Sequence, residues 1–285
     1  LRYAILAPST QNTQPWCFSV TPHIGLGRVR VRFSMRGPLV LPASDPQGRE
    51  ACISVGTAFE NFIIAAEHFG FKVAVHCCPE FSQQDLEDAR GRGSNILLAE
   101  AEVEELVGNG AGVEAHSGSP QGLLENITKR SSARVPYKEI VPEENILLEA
   151  ETAFKLAVGH ASAKIVWVKD KDIINKCAEV VSKGIAHAFS MKEFRVELGH
   201  WIRGNGTDAF DGLPGFTVGM PTPISLIAPF IMGKINMGAP QAKMLKAVVA
   251  DSPLLGVIGA QNGPHGWLMA GRAFTRTALT LLTYG

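Results

Sequence analysis

Ala7-Pro8-Ser9-Thr10-Gln11-Asn12-Thr13-Gln14-Pro15-Trp16-Cys17-Phe18 sets two prolines around a run of hydroxyls and carboxamides, between an apolar helix end and an apolar strand. Pro8 and Pro15 fix the backbone, while Ser9, Thr10 and Asn12 offer short polar groups suited to a phosphate or a polyol. Taken alone, the loop reads first as a well-capped turn. Beyond it the chain turns to sheet. Trp16-Cys17-Phe18-Ser19-Val20 is largely apolar, and Val29-Arg30-Val31-Arg32-Phe33 alternates with period two, the pattern of a half-buried strand with one wet face. Together they predict a hairpin whose turn holds Pro22, Gly25 and Gly27.

Further along, Ile53, Ala58, Phe59, Phe62, Ile63, Ala65 and Ala66 recur at helical spacing between Gly48 and Phe69, with Gly70 as the stop. The small residues Ser54, Gly56 and Ala58 inside that stretch let a second helix approach closely. Lys72 to Cys77 reads as a strand, with Asn95 to Ala99 as its neighbour after a polar helical stretch. Residues 107–122 hold five glycines and a proline without an apolar period, so the boundary between two halves, 1–122 and 123–285, is placed there. Beyond it the pattern predicts a short helix at Leu123–Lys129 and a helix from Glu143 to Val158 behind Pro142. A buried strand at Ile165–Val168 comes next, then helices at Ile173–Ala188 and Glu193–Ile202. A loop at Gly204–Pro214, a second buried strand at Leu254–Gly259 and a final helix from Gly266 to Leu282 complete the chain. Each half thus combines strands with one long helix, and the helix around Ser54–Ala66 has a counterpart of similar texture at Trp267–Leu279. The two are expected to pack about a pseudo-twofold axis, as the equivalent helices of a homodimer would.

Composition narrows the function. Lys plus Arg and Asp plus Glu balance at 27 each, so no long-range field attracts a nucleic acid. Only 19% of residues are charged, which favours a buried interface; a monomer and a homodimer both stay open. The longest apolar run, Ile224–Gly233, is interrupted by Pro229 and falls far short of a membrane span. The five cysteines are odd in number and form no C-x-x-C, so scattered reduced thiols are expected. His76 and Cys78 share a strand face, but two ligands do not make a metal site, and none is expected. The first residue is Leu1, not Met, so an export signal upstream stays open and a cytoplasmic location is only the default.

A second polar cluster, Arg130-Ser131-Ser132-Ala133-Arg134, ends at Tyr137 in the order Arg-x-Ser-x-Arg-x-x-Tyr. By itself it is a solvated basic turn or a clamp for a dianion. No Walker loop or dinucleotide fingerprint accompanies it. Set beside Ala-Pro-Ser-x-x-Asn-x-Gln-Pro-Trp-x-Phe and the Gly48-Arg49-Glu50-x-x-Ile53-Ser54-x-Gly56 helix start, it resembles the nitroreductase superfamily of FMN enzymes. More narrowly, Leu41-Pro42-Ala43-Ser44-Asp45-Pro46-Gln47-Gly48-Arg49-Glu50 and the internal doubling resemble the Acg-type branch, in which one chain holds two nitroreductase-like halves. The resemblance covers most of the chain. It is most specific at 7–18, 41–70 and 130–137, and weaker at 194–214 and 253–285.

The resemblance implies an α+β, nitroreductase-like fold built as an internal pseudo-dimer, with one FMN at the interface of the halves. By carry-over, Arg130 and Ser132 face the phosphate and ribityl side. Arg134 lies by the N1/O2 edge of the flavin, where a cation stabilises the anion formed on two-electron reduction. Pro8, Ser9, Thr10 and Asn12 close the site from the other half, and Gln14 orients their loop. The family's loop that presents backbone N–H groups to flavin N5 has its nearest match in Asp211-Gly212-Leu213-Pro214, where Gly212 permits close backbone approach. A second site is not expected, because Val158–Lys164 stands where the second half would need its own Pro-Ser-x-x-Asn loop. Many members add basic residues from beyond the last helix to the phosphate; the sequence stops at Gly285, so that ligand is either absent or supplied by residues beyond it. The proline-rich Pro221–Gly233 run reads either as a buried connection or as part of a lid insertion near 215–240. His265 reads as a helix-start residue. The implied activity is two-electron reduction of a nitroaromatic or quinone-like acceptor through flavin N5, with the flavin and not a side chain carrying the chemistry. NAD(P)H is an open choice of donor. The alternatives are a non-catalytic protein that sequesters FMN and a structural protein without flavin.

Overall fold

In the computed structural model the described residues are 1–23, 28–77, 80–105, 122–132, 137, 140–159 and 163–284. The alternation read from the sequence decides how strand β2 (Arg28–Arg36) sits: Val31, Phe33 and Met35 are buried, and Arg28, Arg30 and Arg32 face outward. β1 (Trp16–His23) pairs with it antiparallel, Trp16 opposite Met35 and His23 opposite Arg28. Pro22 lies within β1 and not in the turn, which the edge position allows because a proline there withholds no ladder hydrogen bond. On the other side β2 pairs with β4 (Asn95–Glu105), and β3 (Phe71–Cys77) lies beyond, giving the all-antiparallel order β1-β2-β4-β3. The register sets Arg28 against Glu104, Arg30 against Glu102 and Arg32 against Glu100, so the outer face carries a ladder of ion pairs at 3.1, 3.0 and 2.5 Å. Such exposed pairs contribute little to stability but fix register.

Helix α1 (Arg49–His68) covers the inner face, with Phe59 and Phe62 against Phe33 at ring-centroid distances of 4.5 and 5.2 Å. It is buried on nearly every side. α2 (Gln83–Arg92), begun by a Ser82/Asp85 capping box, closes the end of the sheet. On its far side α1 meets the last helix, α9 (Pro264–Leu282), at two glycines. A Cβ on Gly56 would stand 2.2 Å from the Leu268 carbonyl oxygen, and one on Gly271 would stand 2.1 Å from that of Ile53. The contact is reciprocal, since each glycine lies over the carbonyl three residues before the other. Beside the crossing, fully buried Glu60 receives Arg272 Nε at 2.8 Å and Arg276 Nε, and Arg276 also reaches Glu67 at 3.3 Å. Burial alone would push the Glu60 carboxyl up, but the Arg276 and Arg272 guanidiniums outweigh it and hold Glu60 below the ordinary carboxylate range.

The short helix α3 (Leu123–Lys129) has the bounds the sequence predicts, and its Asn126 amide donates to Leu279 O and Thr283 Oγ1, both at 2.9 Å. α4 (Glu144–Val158) lies along α9, and one apolar cluster runs from Phe33 and Phe59 to Phe154, Leu268 and Ala273. Of the linker 107–122, at whose end the boundary between 1–122 and 123–285 was placed, residues 107–121 lie outside the described residues.

Two expectations need correction. β5 (Ala163–Val168) and β8 (Leu255–Ala260) were expected to be buried, yet among the described residues they pair only with each other, and Val166 and Val257 remain 56% and 46% exposed. Their apolar composition suits burial, but α4 and α9 cover one face of the ribbon only. Pro229 does not break the apolar run either. α7 (Thr222–Ile231) continues through it, after α5 (Lys171–Ser190), α6 (Lys192–Trp201) and the parallel pair β6 (Ile202–Arg203) and β7 (Leu213–Pro214). α8 (Gly238–Ala250), a helix the sequence pattern did not reveal, packs along α5. Among the described residues no helix is long and apolar enough to cross a membrane.

Candidate functional site

The Pro8–Gln14 segment is strained. Gln11, Asn12 and Gln14 take left-handed φ values of 50°, 54° and 50°, a conformation costing roughly 1–3 kcal/mol per non-glycine residue. Hydrogen bonds impose it. The Gln14 N–H donates to Ser9 Oγ at 3.0 Å, closing the loop on itself, and Thr57 Oγ1 of α1 donates to the Pro8 carbonyl at 3.1 Å. Thr10 Oγ1 donates to Glu50 at 3.3 Å, and Gln11 Nε2 to Ser44 Oγ at 3.4 Å. Ser44 is itself fixed by Glu197 of α6, which accepts from the Ala43 and Ser44 amides at 2.8 and 3.0 Å. Asp45 accepts from the Ala51 amide at 2.9 Å at the start of α1, and burial pushes its carboxyl up.

From some two hundred residues further along the chain comes the loop before β7. Asn12 Nδ2 donates to Gly212 O at 3.0 Å and to Phe210 O at 3.2 Å, Gly212 N–H returns a bond to Asn12 O at 3.1 Å, and Gln14 Nε2 also reaches Phe210 O. Gly212 has φ 75°, and a Cβ there would stand 2.5 Å from Trp201 O, so only glycine fits this clasp.

The clasp borders a cavity of about 1330 Å³. Pro8, Ser9, Thr10, Asn12, Gln14, Arg130, Ser132 and Leu213 all line it, so eight of the residues singled out in the sequence come together there. Gly212 stands behind the wall, its amide given to Asn12. Arg134 lies outside the described residues. The side chains of Asn12 and Gln14 hydrogen-bond to the carbonyls of the 210–212 loop and so hold it, whereas Ser9 uses its hydroxyl oxygen as an acceptor.

Arg130 is the cation at this wall. It extends from the end of α3, its Nη1 donates to Ser132 Oγ at 3.2 Å, and its Nε is buried without a hydrogen-bond partner among the described residues. Burial lowers its pKa, and among the described residues no carboxylate opposes that shift. Gln11 Oε1 is likewise buried and unpaired on the same cavity. An unsatisfied buried guanidinium costs free energy that an anion would recover.

Gln11, Ser44 and Glu50 also line the wall, although nothing in the sequence marked them as site residues within the polar loop and the Leu41–Glu50 stretch. The Pro221–Gly233 run, read from the sequence as a buried connection or part of a lid, supplies the α7 side of the cavity wall through Ile224, Ile227, Ala228 and Ile231, whereas the contributions of α5, α6 and α8 were unmarked. Among the described residues no group of three His, Cys, Asp or Glu side chains converges as a metal site would require.

No family model matches the chain. It is similar to proteins named "Putative NAD(P)H nitroreductase" from two strains of Mycobacterium tuberculosis, at 25% identity over 214 residues, which is 75% of this chain and 52% of each relative. The chain therefore spans about half the length of the curated relatives it matches.

Proposed function

We propose that this chain, related at low identity to nitroreductases, is an FMN-dependent oxidoreductase of that type that reduces a small nitroaromatic or quinone-like acceptor with electrons from NAD(P)H. The observation that carries the reading is Arg130, a half-buried cation with an unpaired Nε, on the same cavity as the strained Pro8–Gln14 loop. A phosphate is the anion whose geometry suits that guanidinium, with Ser132 and Ser9 supplying hydroxyls beside it. The donor set fits FMN. When bound, FMN supplies two-electron chemistry that no side chain here performs.

The chain's own residues then have four tasks. Arg130, Ser132, Ser9 and Thr10 bind the phosphate and ribityl groups. The clasp between Asn12 and Gly212 holds the two halves' loops in register. Leu213, Ile202 and Ala7 furnish apolar contact for a planar ring system, and the walls from α5 to α8 exclude water. Arg134 is assigned to the flavin's N1/O2 edge by resemblance. In the same reading the chain is an Acg-like pseudo-dimer, supported by the reciprocal contact of Gly56 and Gly271, in which each helix treats the other as a twofold partner would.

The test is an absorbance spectrum after incubation with FMN and desalting, for the native chain and for Arg130→Ala. Flavin retained near one per chain, and lost in the variant, is the expected result; colourless protein in both overturns the reading. Reduction by NADPH or NADH and then reoxidation with menadione or nitrofurazone separates turnover from sequestration, in which bound flavin stays reduced.

A further inference from the structure

The cavity is larger than the roughly 300–1,000 Å³ of ordinary small-molecule sites, and its wall is divided by chemistry. Its polar groups come from the Pro8–Gln14 loop, Ser44, Glu50, Arg130 and Ser132. Apart from Gln241 of α8, the lining from α5 to α8 is apolar: Phe189 of α5, Phe194 and Leu198 of α6, Ile227 and Ile231 of α7, and Leu245 of α8. Met220, Met232 and Met237 join them, unbranched side chains that adapt to varied shapes. No charged residue occurs anywhere in Thr222–Ile231, and the face of α7 turned away from the cavity exposes Leu226 and Phe230 at 62% and 78%.

A compact polar acceptor would leave this second region wet and unused. We infer that the acceptor is an amphiphile, an electrophilic ring carrying a hydrocarbon tail of several carbons, with the tail lying along α5–α8. This rests on the flavin reading for the polar side of the cavity. Each buried methylene should tighten binding about fourfold until the apolar region is filled.

The experiment is equilibrium dialysis of the full FMN-loaded chain against 2-methyl-3-alkyl-1,4-naphthoquinones with tails of one, four and eight carbons. It is repeated without FMN and on two variants of α7. Ile227 is 51% exposed but lines the cavity, whereas Leu226 is 62% exposed and does not, so Ile227→Asp and Leu226→Asp place the same charge on the same helix at similar cost to folding. Affinity should climb with tail length in the native chain and in Leu226→Asp, and stay flat in Ile227→Asp. A flat native series overturns the inference, as does a climb that Ile227→Asp leaves intact. If the chain retains no FMN yet shows the climb and its loss in Ile227→Asp, the flavin reading falls and the amphiphile site stands. If FMN is retained and the series is flat, the reverse holds.

Discussion

Arg276 and Arg130 are both withdrawn from water, and the protein treats them in opposite ways. Arg276 lies at the α1/α9 crossing with Glu60 and Glu67 on its nitrogens, and its neighbour Arg272 stacks over the Phe59 ring at 5.4 Å. Those carboxylates more than offset burial and raise its pKa. Arg130, at the cavity, has a serine hydroxyl and, among the described residues, no carboxylate, and burial lowers its pKa. The difference separates structure from readiness. A buried charge answered by the chain belongs to the fold, whereas one left unanswered beside a strained loop is placed for something the chain does not supply.

The comparison breaks most visibly at Glu60. Glu60→Gln leaves two guanidiniums beside a neutral amide in the core, and should lower unfolding free energy by about 3–5 kcal/mol in urea titration. Its acid limb should change as well. Because folding holds the Glu60 carboxyl below its ordinary value, the unfolded chain binds the proton more tightly. The stabilisation is complete above the unfolded value, about 4.3, and is lost as pH falls through the folded one. Asp45, pushed up by burial, acts with the opposite sign, so the informative quantity is the difference between native chain and variant from pH 7 downward. That difference should shrink as the pH drops; a constant gap would mean that Glu60 is not charged in the fold.

Next in size are the crossing glycines. Gly56→Ala and Gly271→Ala each drive a methyl group into a backbone carbonyl, and should cost about 1–3 kcal/mol or more. Gly184→Ala on α5 meets no atom within 4 Å and should instead stabilise by about 0.5–1 kcal/mol. Equal effects at all three positions would dissolve the claim that α1 and α9 touch at backbone distance.

The crossing was also the most legible part of the sequence. Gly56 among Ser54 and Ala58 announced a close approach, and the period-two arginines of β2 announced a wet face, because both patterns are local and repeat. At the cavity the legible features were the polar stretches, Pro8–Gln14 and Arg130–Ser132. What the sequence withheld was the use made of them. Nothing local in Asn12 says that its amide will clasp carbonyls two hundred residues away, or that Gln11 and Gln14 will be held at positive φ. The exposed faces of β5 and β8 were hidden for the same reason, since Val166 and Val257 are apolar whether or not a partner covers them. α8 mixes Gly238 and Pro240 with helix formers, so its start carried breaker signals that the helix tolerates in its first turn.

A smaller effect is expected at the clasp. Asn12→Ala removes donors to Phe210 and Gly212, a loss of about 1–2 kcal/mol partly offset by relaxation of the loop. Flavin retention should fall more than stability does. If the urea midpoint moves and flavin retention does not, the clasp is a structural tie only.

The smallest effect on stability, and the sharpest test, is expected at Arg130. Arg130→Met keeps the aliphatic stem and removes a guanidinium whose Nε has no partner, so folding has little to lose; the urea midpoint should stay within about 0.5 kcal/mol of native or rise. Binding should respond instead. FMN and riboflavin differ by the phosphate alone, and a charge-assisted contact to it is worth about 1.5–3 kcal/mol. The native chain should therefore prefer FMN over riboflavin by about tenfold or more, and Arg130→Met should bring the two together while leaving riboflavin affinity near its native value. A variant that unfolds several kcal/mol more easily would place Arg130 with Arg276, as a charge the fold depends on. One that keeps the native preference would move the phosphate to other donors, and the unpaired nitrogen would no longer mark the site.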